Sequence, residues 1–281
     1  MKEVKNQTFD LERSLYNIKD TRVIDCKFMG PADGESVLKE CRNIEVLNSE
    51  FSLRYPIWHA DGFMLDNILM DEFSRAPIWY SFNGTILNSK INSIKALREC
   101  KNIKIDNSNI TSAEFGWFSN DLAVNNSSIN GEYLFMKSNN VFCDNLKMTG
   151  KYSFQYMNNL HIKNSYLDTK DAFWHSNNIT VEDSYVKGEY LAWFSNNLTL
   201  IRCKIIGTQP LCYCKNLKLI DCEMIDTDLA FEYSDVEASI IGHVESIKNP
   251  KSGKIVVDSV GTIINDDQVY QCSGEIVIRN N

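Results

Sequence analysis

Four carboxylates define the hydrolytic chemistry open to this sequence. Asp33 and Glu35 lie two residues apart in the stretch GPADGES, residues 30–36. Asp106 and Asp144 lie two equal steps of 19 residues apart, with Asn125 midway. A glycosidase needs an acid and a base or nucleophile about 5–10 Å apart across the scissile bond. If 19 residues make one rung of a parallel stack, Asp106 and Asp144 stand ~10 Å apart, at the wide end of that range. Glu99 and Glu232 are seven such steps apart, ~34 Å, and cannot form a pair. His59 and His175 are six steps apart and cannot act together; packing against Trp58 and Trp174 is the structural alternative for both. Asp66, Asp106 and Asp144 are too spread to hold one calcium ion. Cys212-Tyr213-Cys214 is too little for zinc, and no P-loop, GxGxxG or nucleophile motif occurs. No cofactor and no metal are expected.

The step of 19 comes from Asn139–Tyr233, where one unit is written five times without a gap: NNVFCDNLKMTGKYSFQYM, NNLHIKNSYLDTKDAFWHS, NNITVEDSYVKGEYLAWFS, NNLTLIRCKIIGTQPLCYC, KNLKLIDCEMIDTDLAFEY. Self-similarity at this period marks a stacked array whose units bury their apolar faces against one another. With the columns of the unit numbered 1 to 19, column 3 holds Val141, Leu160, Ile179, Leu198 and Leu217. Column 5 holds Cys143, Ile162, Val181, Leu200 and Leu219, and the residues between, such as His161, Thr180 and Lys218, are polar. That alternation is strand periodicity. Column 10 is apolar again: Met148, Leu167, Val186, Ile205, Met224. Three short strands and their turns fill a unit and leave no room for a helix. The expected fold class is all-β, a single-stranded right-handed parallel β-helix (solenoid) of about eleven to twelve coils with N- and C-terminal caps. Right-handed crossover is the general default. A leucine-rich repeat fits less well, because its asparagine follows the leucines and its convex segment is longer. The expected layout is an N-terminal cap over residues 1–18, coils over 19–236, and a C-terminal β cap over 237–281 that continues the core. Phe9, Leu11, Leu15 and Tyr16 would cover the first coil.

Two asparagine lines support the stack. Column 2 runs Asn83, Asn102, Asp121, Asn140, Asn159, Asn178, Asn197, Asn216. Column 7 runs Asn48, Asn67, Asn88, Asn107, Asn126, Asn145, Asn164, Asp183, with Arg202 an exception. Asn tolerates left-handed backbone and suits a corner. In register, each amide can donate to one neighbour and accept from the other. Glycosylation is the alternative use: Asn126-Ser127-Ser128, Asn178-Ile179-Thr180 and Asn197-Leu198-Thr199 match the acceptor pattern.

Composition narrows the partners. The 281 residues are 43% hydrophobic, enough for a full core, and the net charge of −8 with no basic run argues against nucleic acid. No run of 18 apolar residues suggests a membrane span, and the start lacks the apolar stretch of a signal peptide. The nine cysteines are an odd number; Cys26, Cys203 and Cys222 share column 8, and Cys41, Cys100 and Cys214 share column 19. They read as small buried residues of a reduced, cytoplasmic protein, although Cys203 and Cys222 are close enough in register to bridge.

Two places could carry function. Coils one to three bear loops at the same point: GPADGES (30–36), SLRYP (52–56) and DEFSRAP (71–77). Stacked within ~10–15 Å, they gather Asp33, Glu35, Arg54, Asp71, Glu72 and Arg75, either as a solvated rim or as an anion or sugar site. The second is column 17, which holds all five tryptophans: Trp58, Trp79, Arg98, Trp117, Met136, Gln155, Trp174, Trp193, Cys212, Phe231. Column 18 reads His59, Tyr80, Glu99, Phe118, Lys137, Tyr156, His175, Phe194, Tyr213, Glu232. Columns 16 and 19 look inward, and Glu99 and Lys137 put column 18 in solvent. Strict alternation turns column 17 inward, as an internal aromatic stack; Arg98 and Gln155 turn it outward, as a ridge. An outward ridge would bind through Trp58, His59, Trp79, Tyr80, Arg98, Glu99, Trp117, Tyr156, Trp174, His175, Trp193 and Tyr213, since exposed aromatic surface marks an interface.

GPADGES followed by RYPIWH, then KALREC and GEYLAWFS, resemble a bacterial family of unknown function whose members are sometimes labelled hydrogenase-component-like. The resemblance covers essentially the whole chain. It implies a single-stranded right-handed β-helix and brings no catalytic or binding residues with it. Two functions remain open at this point. One is a non-enzymatic binding or scaffold protein whose aromatic face takes a glycan, a protein partner or a second copy of the chain. The other is a cytoplasmic carbohydrate-active enzyme, of lyase or glycosidase type, working near the N-terminal loops or at Asp106 and Asp144.

Overall fold

A computed structural model describes residues 1–266 and 268–279; the end of the expected C-terminal cap, residues 280–281, lies outside them. The described residues form strands and turns and no helix. They divide into two compact units, Met1–Phe142 and Cys143–Asn281.

In the first unit the strands Lys2–Lys5, Lys19–Ile24, Arg42–Leu47, Asp61–Asp66, Phe82–Leu87, Lys101–Asp106 and Asn120–Asn125 pair in succession, all parallel. A second line of parallel strands runs from Thr8–Phe9 to Ser128–Glu132. A short third line joins Ile57–Trp58, Ile78–Trp79 and Leu97–Arg98. The second unit repeats the scheme through Asn158–Lys163, Asn177–Glu182, Asn196–Ile201, Leu217–Ile225, Asp235–Lys248, Ser252–Ile264 and Glu275–Ile278. With Asn139–Asp144 at the border between the units, the described residues form fifteen rungs of a parallel β-helix. The column count of eleven to twelve is corrected upward. Residues 1–18 make a rung of their own, and three more follow residue 234 on a shorter step, Asp235 pairing with Ser252. KIVVDSV and GTIIND, expected as separate strands, are one strand, Ser252–Ile264.

The register is the one the repeat demands. Ile179 lies beside Leu198 and Val181 beside Leu200, 19 residues apart. Columns 3, 5 and 10 are buried throughout the second unit's repeats. Gly84 occupies column 3 where its neighbours carry large side chains. A Cβ there would meet the Phe63 ring at 2.1 Å, so Phe63 fills its own place and that of Gly84. Phe9 stacks on Phe28 at 5.5 Å and Leu15 is buried, but Leu11 and Tyr16 stay exposed and cover nothing.

Corners are held by side chains. The asparagines of columns 2 and 7 adopt φ near +50°, and their amides form ladders: Asn67 donates to Asn48 at 2.8 Å, Asn102 to Asn83 at 2.7 Å, Asn197 to Asn178 at 2.9 Å and Asn216 to Asn197 at 2.8 Å. In column 8 the serine hydroxyls accept buried backbone N–H groups from the preceding rung, Ser108 N–H to Ser127 Oγ at 3.0 Å and Ser165 N–H to Ser184 Oγ at 3.0 Å. Every buried donor must find a partner, which explains the small polar column. Cysteine enters the same columns because its thiol donates to a carbonyl, as Cys203 does to Val181 O at 3.3 Å. All nine thiols are free. Burial pushes Cys41, Cys100 and Cys214 up to about 12, which leaves them unreactive near neutral pH.

Candidate functional site

The tryptophan column lies neither inside nor wholly outside. All five side chains are half-buried, and each indole N–H donates to a backbone carbonyl of the following rung. Trp58 reaches Ala76 O at 2.8 Å, Trp79 reaches Lys95 O at 2.6 Å, and Trp117 reaches Tyr133 O. Trp174 reaches Tyr190 O at 2.6 Å and Trp193 reaches Gln209 O at 2.7 Å. Gln155 in the same column makes the same bond, to Asp171 O at 2.8 Å, with its amide. The acceptor residues Ala76, Lys95, Tyr133, Asp171, Tyr190 and Gln209 are all left-handed, as are His59, Tyr80, Glu99, Tyr156, His175, Phe194 and Tyr213 of column 18. The corner therefore alternates in backbone hand, and strand alternation does not apply to it. The internal aromatic stack belongs to column 16 and its neighbours: Phe154 and Phe173 stack at 5.5 Å, fully buried.

In the first unit Trp58 and Trp79 stack at 5.3 Å. The Arg98 guanidinium continues the column between Trp79 and Trp117, 5.1 and 5.5 Å from their rings, with Phe118 at 5.4 Å. Its Nε is buried without a hydrogen bond and lies 3.7 Å from Glu99. Ring faces thus take the place of an acceptor. Replacing Arg98 with Met keeps the stem and removes the cation, and is expected to cost about 1–2 kcal/mol in denaturant unfolding. An unchanged unfolding midpoint would refute the sandwich as a stabilising contact.

In the second unit Trp174 and Trp193 stack at 5.4 Å. Beside them Tyr156, His175, Phe194 and Tyr213 form a continuous stack, with centroids 5.1, 4.9 and 4.7 Å apart and planes within 13°. Rings stacked along the rungs occupy one another's faces and offer only their edges to solvent. The pattern breaks after Tyr213. Tyr233 is tilted 42° to Tyr213, and Tyr270 stands at 86° to Tyr233. Ring faces open there onto a pocket of about 540 Å³, lined by Phe194, Tyr213, Tyr233 and Tyr270 with Lys215, Asn216, Asp235, Lys251 and Ser252. The Tyr233 hydroxyl accepts the Val269 N–H at 3.1 Å, which fixes its ring. Lys251 sits 5.9 Å over the Tyr270 ring. Burial pushes the Tyr213 phenol up. Sequence columns pointed to Tyr213 but missed Tyr233, Tyr270 and Lys251. Tyr233 stands in a column of Ser, Cys and Ala, and that mismatch in size was the available signal. Tyr270 and Lys251 lie beyond the point where the 19-residue register ends.

The candidate carboxylates are occupied. Asp33 and Glu35 share Arg54, at 3.5 and 3.8 Å. The three loops do stack, Ser36 N–H bonding Arg54 O and Tyr55 N–H bonding Arg75 O. Asp71 accepts from the Ser52 hydroxyl and from Phe73 N–H, while Glu72 and Arg75 stay exposed. Asp106 accepts the Asn126 amide at 2.9 Å. Asp144 accepts the Asn164 amide at 2.9 Å and lies 3.3 Å from the Lys163 ammonium; these hold its carboxyl below the usual range, the opposite of what a general acid needs. Asp106 and Asp144 belong to different units. Among the described residues no three His, Cys, Asp or Glu come together as metal ligands.

A family model described as "Protein of unknown function (DUF3737)" matches residues 2–278. No curated protein matches the sequence. Among solved structures, PfbA, a surface adhesin of Streptococcus pneumoniae, is similar at 9% identity and a TM-score of 0.49, over 85% of this chain and 82% of that one. The A-module of the Azotobacter vinelandii mannuronan C-5 epimerase AlgE6 is similar at 10% identity and a TM-score of 0.36, over 99% of this chain and 89% of that one. At such identities the likeness is one of fold alone.

Proposed function

The chain belongs to the DUF3737 family of unknown function, and within it we propose a non-enzymatic binding protein that takes a glycan in the pocket between Tyr213, Tyr233 and Tyr270. One observation carries this reading: aromatic stacking, regular through Phe194 and Tyr213, gives way there to tilted and perpendicular rings. A sugar packs its C–H face on an aromatic face, not on an edge, and needs polar groups at the rim for its hydroxyls. The Lys251 ammonium, the Asn216 amide and the Ser252 hydroxyl stand at that rim. The volume falls within the range of small-ligand sites, about 300–1,000 Å³. Stacked edges elsewhere on the ridge are better suited to structure than to sugar. The binder is favoured over a hydrolase because Asp33, Glu35, Asp106 and Asp144 are each already paired.

Trp193 lies 5.5 Å from Tyr213, so its fluorescence should report occupancy. Titration with neutral oligosaccharides is expected to quench it, and Tyr270→Ala to weaken binding about tenfold. Tyr270 is 54% exposed, so the variant keeps its fold. Oligosaccharide turnover that disappears on changing any of the four carboxylates to its amide would overturn the binder. Affinity unchanged in Tyr270→Ala would overturn the pocket.

A further inference from the structure

Column 7 is an amide ladder until it reaches Asp183 and Arg202, and a groove of about 750 Å³ opens where the ladder breaks. Asn164 donates to Asp144 at 2.9 Å. The next residue up the column, Asp183, has no proton to give back. It takes the Arg202 guanidinium instead, through two bonds of 2.6 and 2.7 Å. The Asn164 carbonyl oxygen therefore receives no amide from the ladder. Across the corner, column 9 lines the other wall with Lys147, Tyr166, Tyr185 and Lys204 on successive rungs. Tyr166 and Tyr185 stack at 4.8 Å and 6°, and no residue of the protein bonds either hydroxyl. Lys204 lies 3.4 Å from Glu223, while Lys147 has no ion-pair partner among the described residues. Three cations and one carboxylate line this groove on a chain whose net charge is −8.

We propose that this groove binds an extended acidic glycan, a sugar chain bearing carboxylates, independently of the aromatic pocket. The ring faces of Tyr166 and Tyr185 are used up by their stacking, so recognition here is polar. Two phenol hydroxyls and the Asn164 oxygen meet sugar hydroxyls, and Lys147 meets a carboxylate. Lys204, less tightly held than Arg202, meets a second. Lys147 and Lys204 are three rungs apart, ~14 Å, so a ligand that touches both spans several sugar residues. Rung spacing is close to the advance of one residue along an extended sugar chain, which keeps successive hydroxyls in step with successive rungs. Nucleic acid is the weaker match. It would need a cation for nearly every phosphate along the groove, and aromatic faces rather than edges for its bases.

The test is calorimetry on the full chain with a hexameric oligogalacturonide and with the same oligomer after reduction of its carboxyl groups to alcohols. The acidic oligomer is expected to bind, more weakly as salt rises, and the reduced form to bind at least about tenfold less tightly. Lys147→Glu should weaken the acidic oligomer by about tenfold or more. A second variant with both Tyr166→Phe and Tyr185→Phe keeps the stack and removes only the hydroxyls, and should also weaken it. Tyr270→Ala should leave this binding unchanged, which separates the groove from the pocket. Equal binding of the two oligomers, wild-type affinity in Lys147→Glu, no binding of the acidic oligomer, or preference for single-stranded DNA would each overturn the proposal.

Discussion

Replacing Phe173 by alanine should cost about 3–5 kcal/mol, read as a fall in the urea midpoint followed by far-UV circular dichroism. The Phe173 ring is 0% exposed and stacks on Phe154 inside the coil. On the other side its column continues with Ala192, which has no side chain able to swing into the space. Both neighbouring backbones are held by rung-to-rung bonds, Phe173 N–H to Ser153 O at 3.0 Å and Ala192 N–H to Ala172 O at 2.8 Å. The coil therefore cannot collapse onto the vacancy, and the cost falls at the upper end for a large-to-small change. Phe173 has φ +63°, and alanine would meet the same backbone strain, so the difference measures packing alone. Trp174→Ala, one residue on, is the comparison. Its ring is only half-buried, and its loss removes one hydrogen bond and part of one stack. It should cost less than Phe173→Ala. The reverse order would mean that the ridge, not the interior, holds this region.

Gly253→Ala should be the second severe change, at about 3 kcal/mol or more, and Gly242→Ala separates its two causes. The two glycines share a backbone conformation, φ +90° and +85°. A Cβ on Gly253 would sit 2.1 Å from the Val236 carbonyl oxygen and 2.8 Å from its carbon, both backbone atoms of the preceding rung. A Cβ on Gly242 would meet nothing within 4 Å. Gly242→Ala then bears only the conformational cost, about 1–2 kcal/mol. Gly253→Ala adds the forced separation of Asp235–Lys248 and Ser252–Ile264, strands joined over eleven pairs of residues. Equal losses of stability in the two variants would show that close approach of the rungs contributes nothing.

The 19-residue step was readable because each column has one environment. Ile179 and Leu198 are apolar for the same reason, and the reason recurs every turn. Corners were less readable. Alternation of inward and outward side chains holds only for extended backbone. From column 14 to column 18 left-handed residues recur, such as Tyr190, Ala192 and Phe194, so position in sequence no longer tells which way Trp193 points. The indole bond to Gln209 O that fixes Trp193 depends on a carbonyl turned by that same local hand. The C-terminal rungs were hidden by a change of step. Asp235 pairs 17 residues on with Ser252, and bulges near Leu219 and Ile240 shift the register. Tyr270 and Lys251 came with those rungs, so the pocket wall they form could not be assembled from columns. The Tyr166–Tyr185 pair was present in the columns, but nothing in their sequence marks a groove.

The bond from each indole N–H to the carbonyl of the following rung has a consequence for how opening of the stack can be followed. Each such proton leaves its acceptor only when two adjacent turns part, so its exchange with deuterated solvent times the parting of one junction. Trp58, Trp79 and Trp117 watch three junctions of the first unit, and Trp174 and Trp193 watch two of the second. Five well-separated nitrogen-15 resonances thus serve as native gauges of where unzipping begins, without any introduced label.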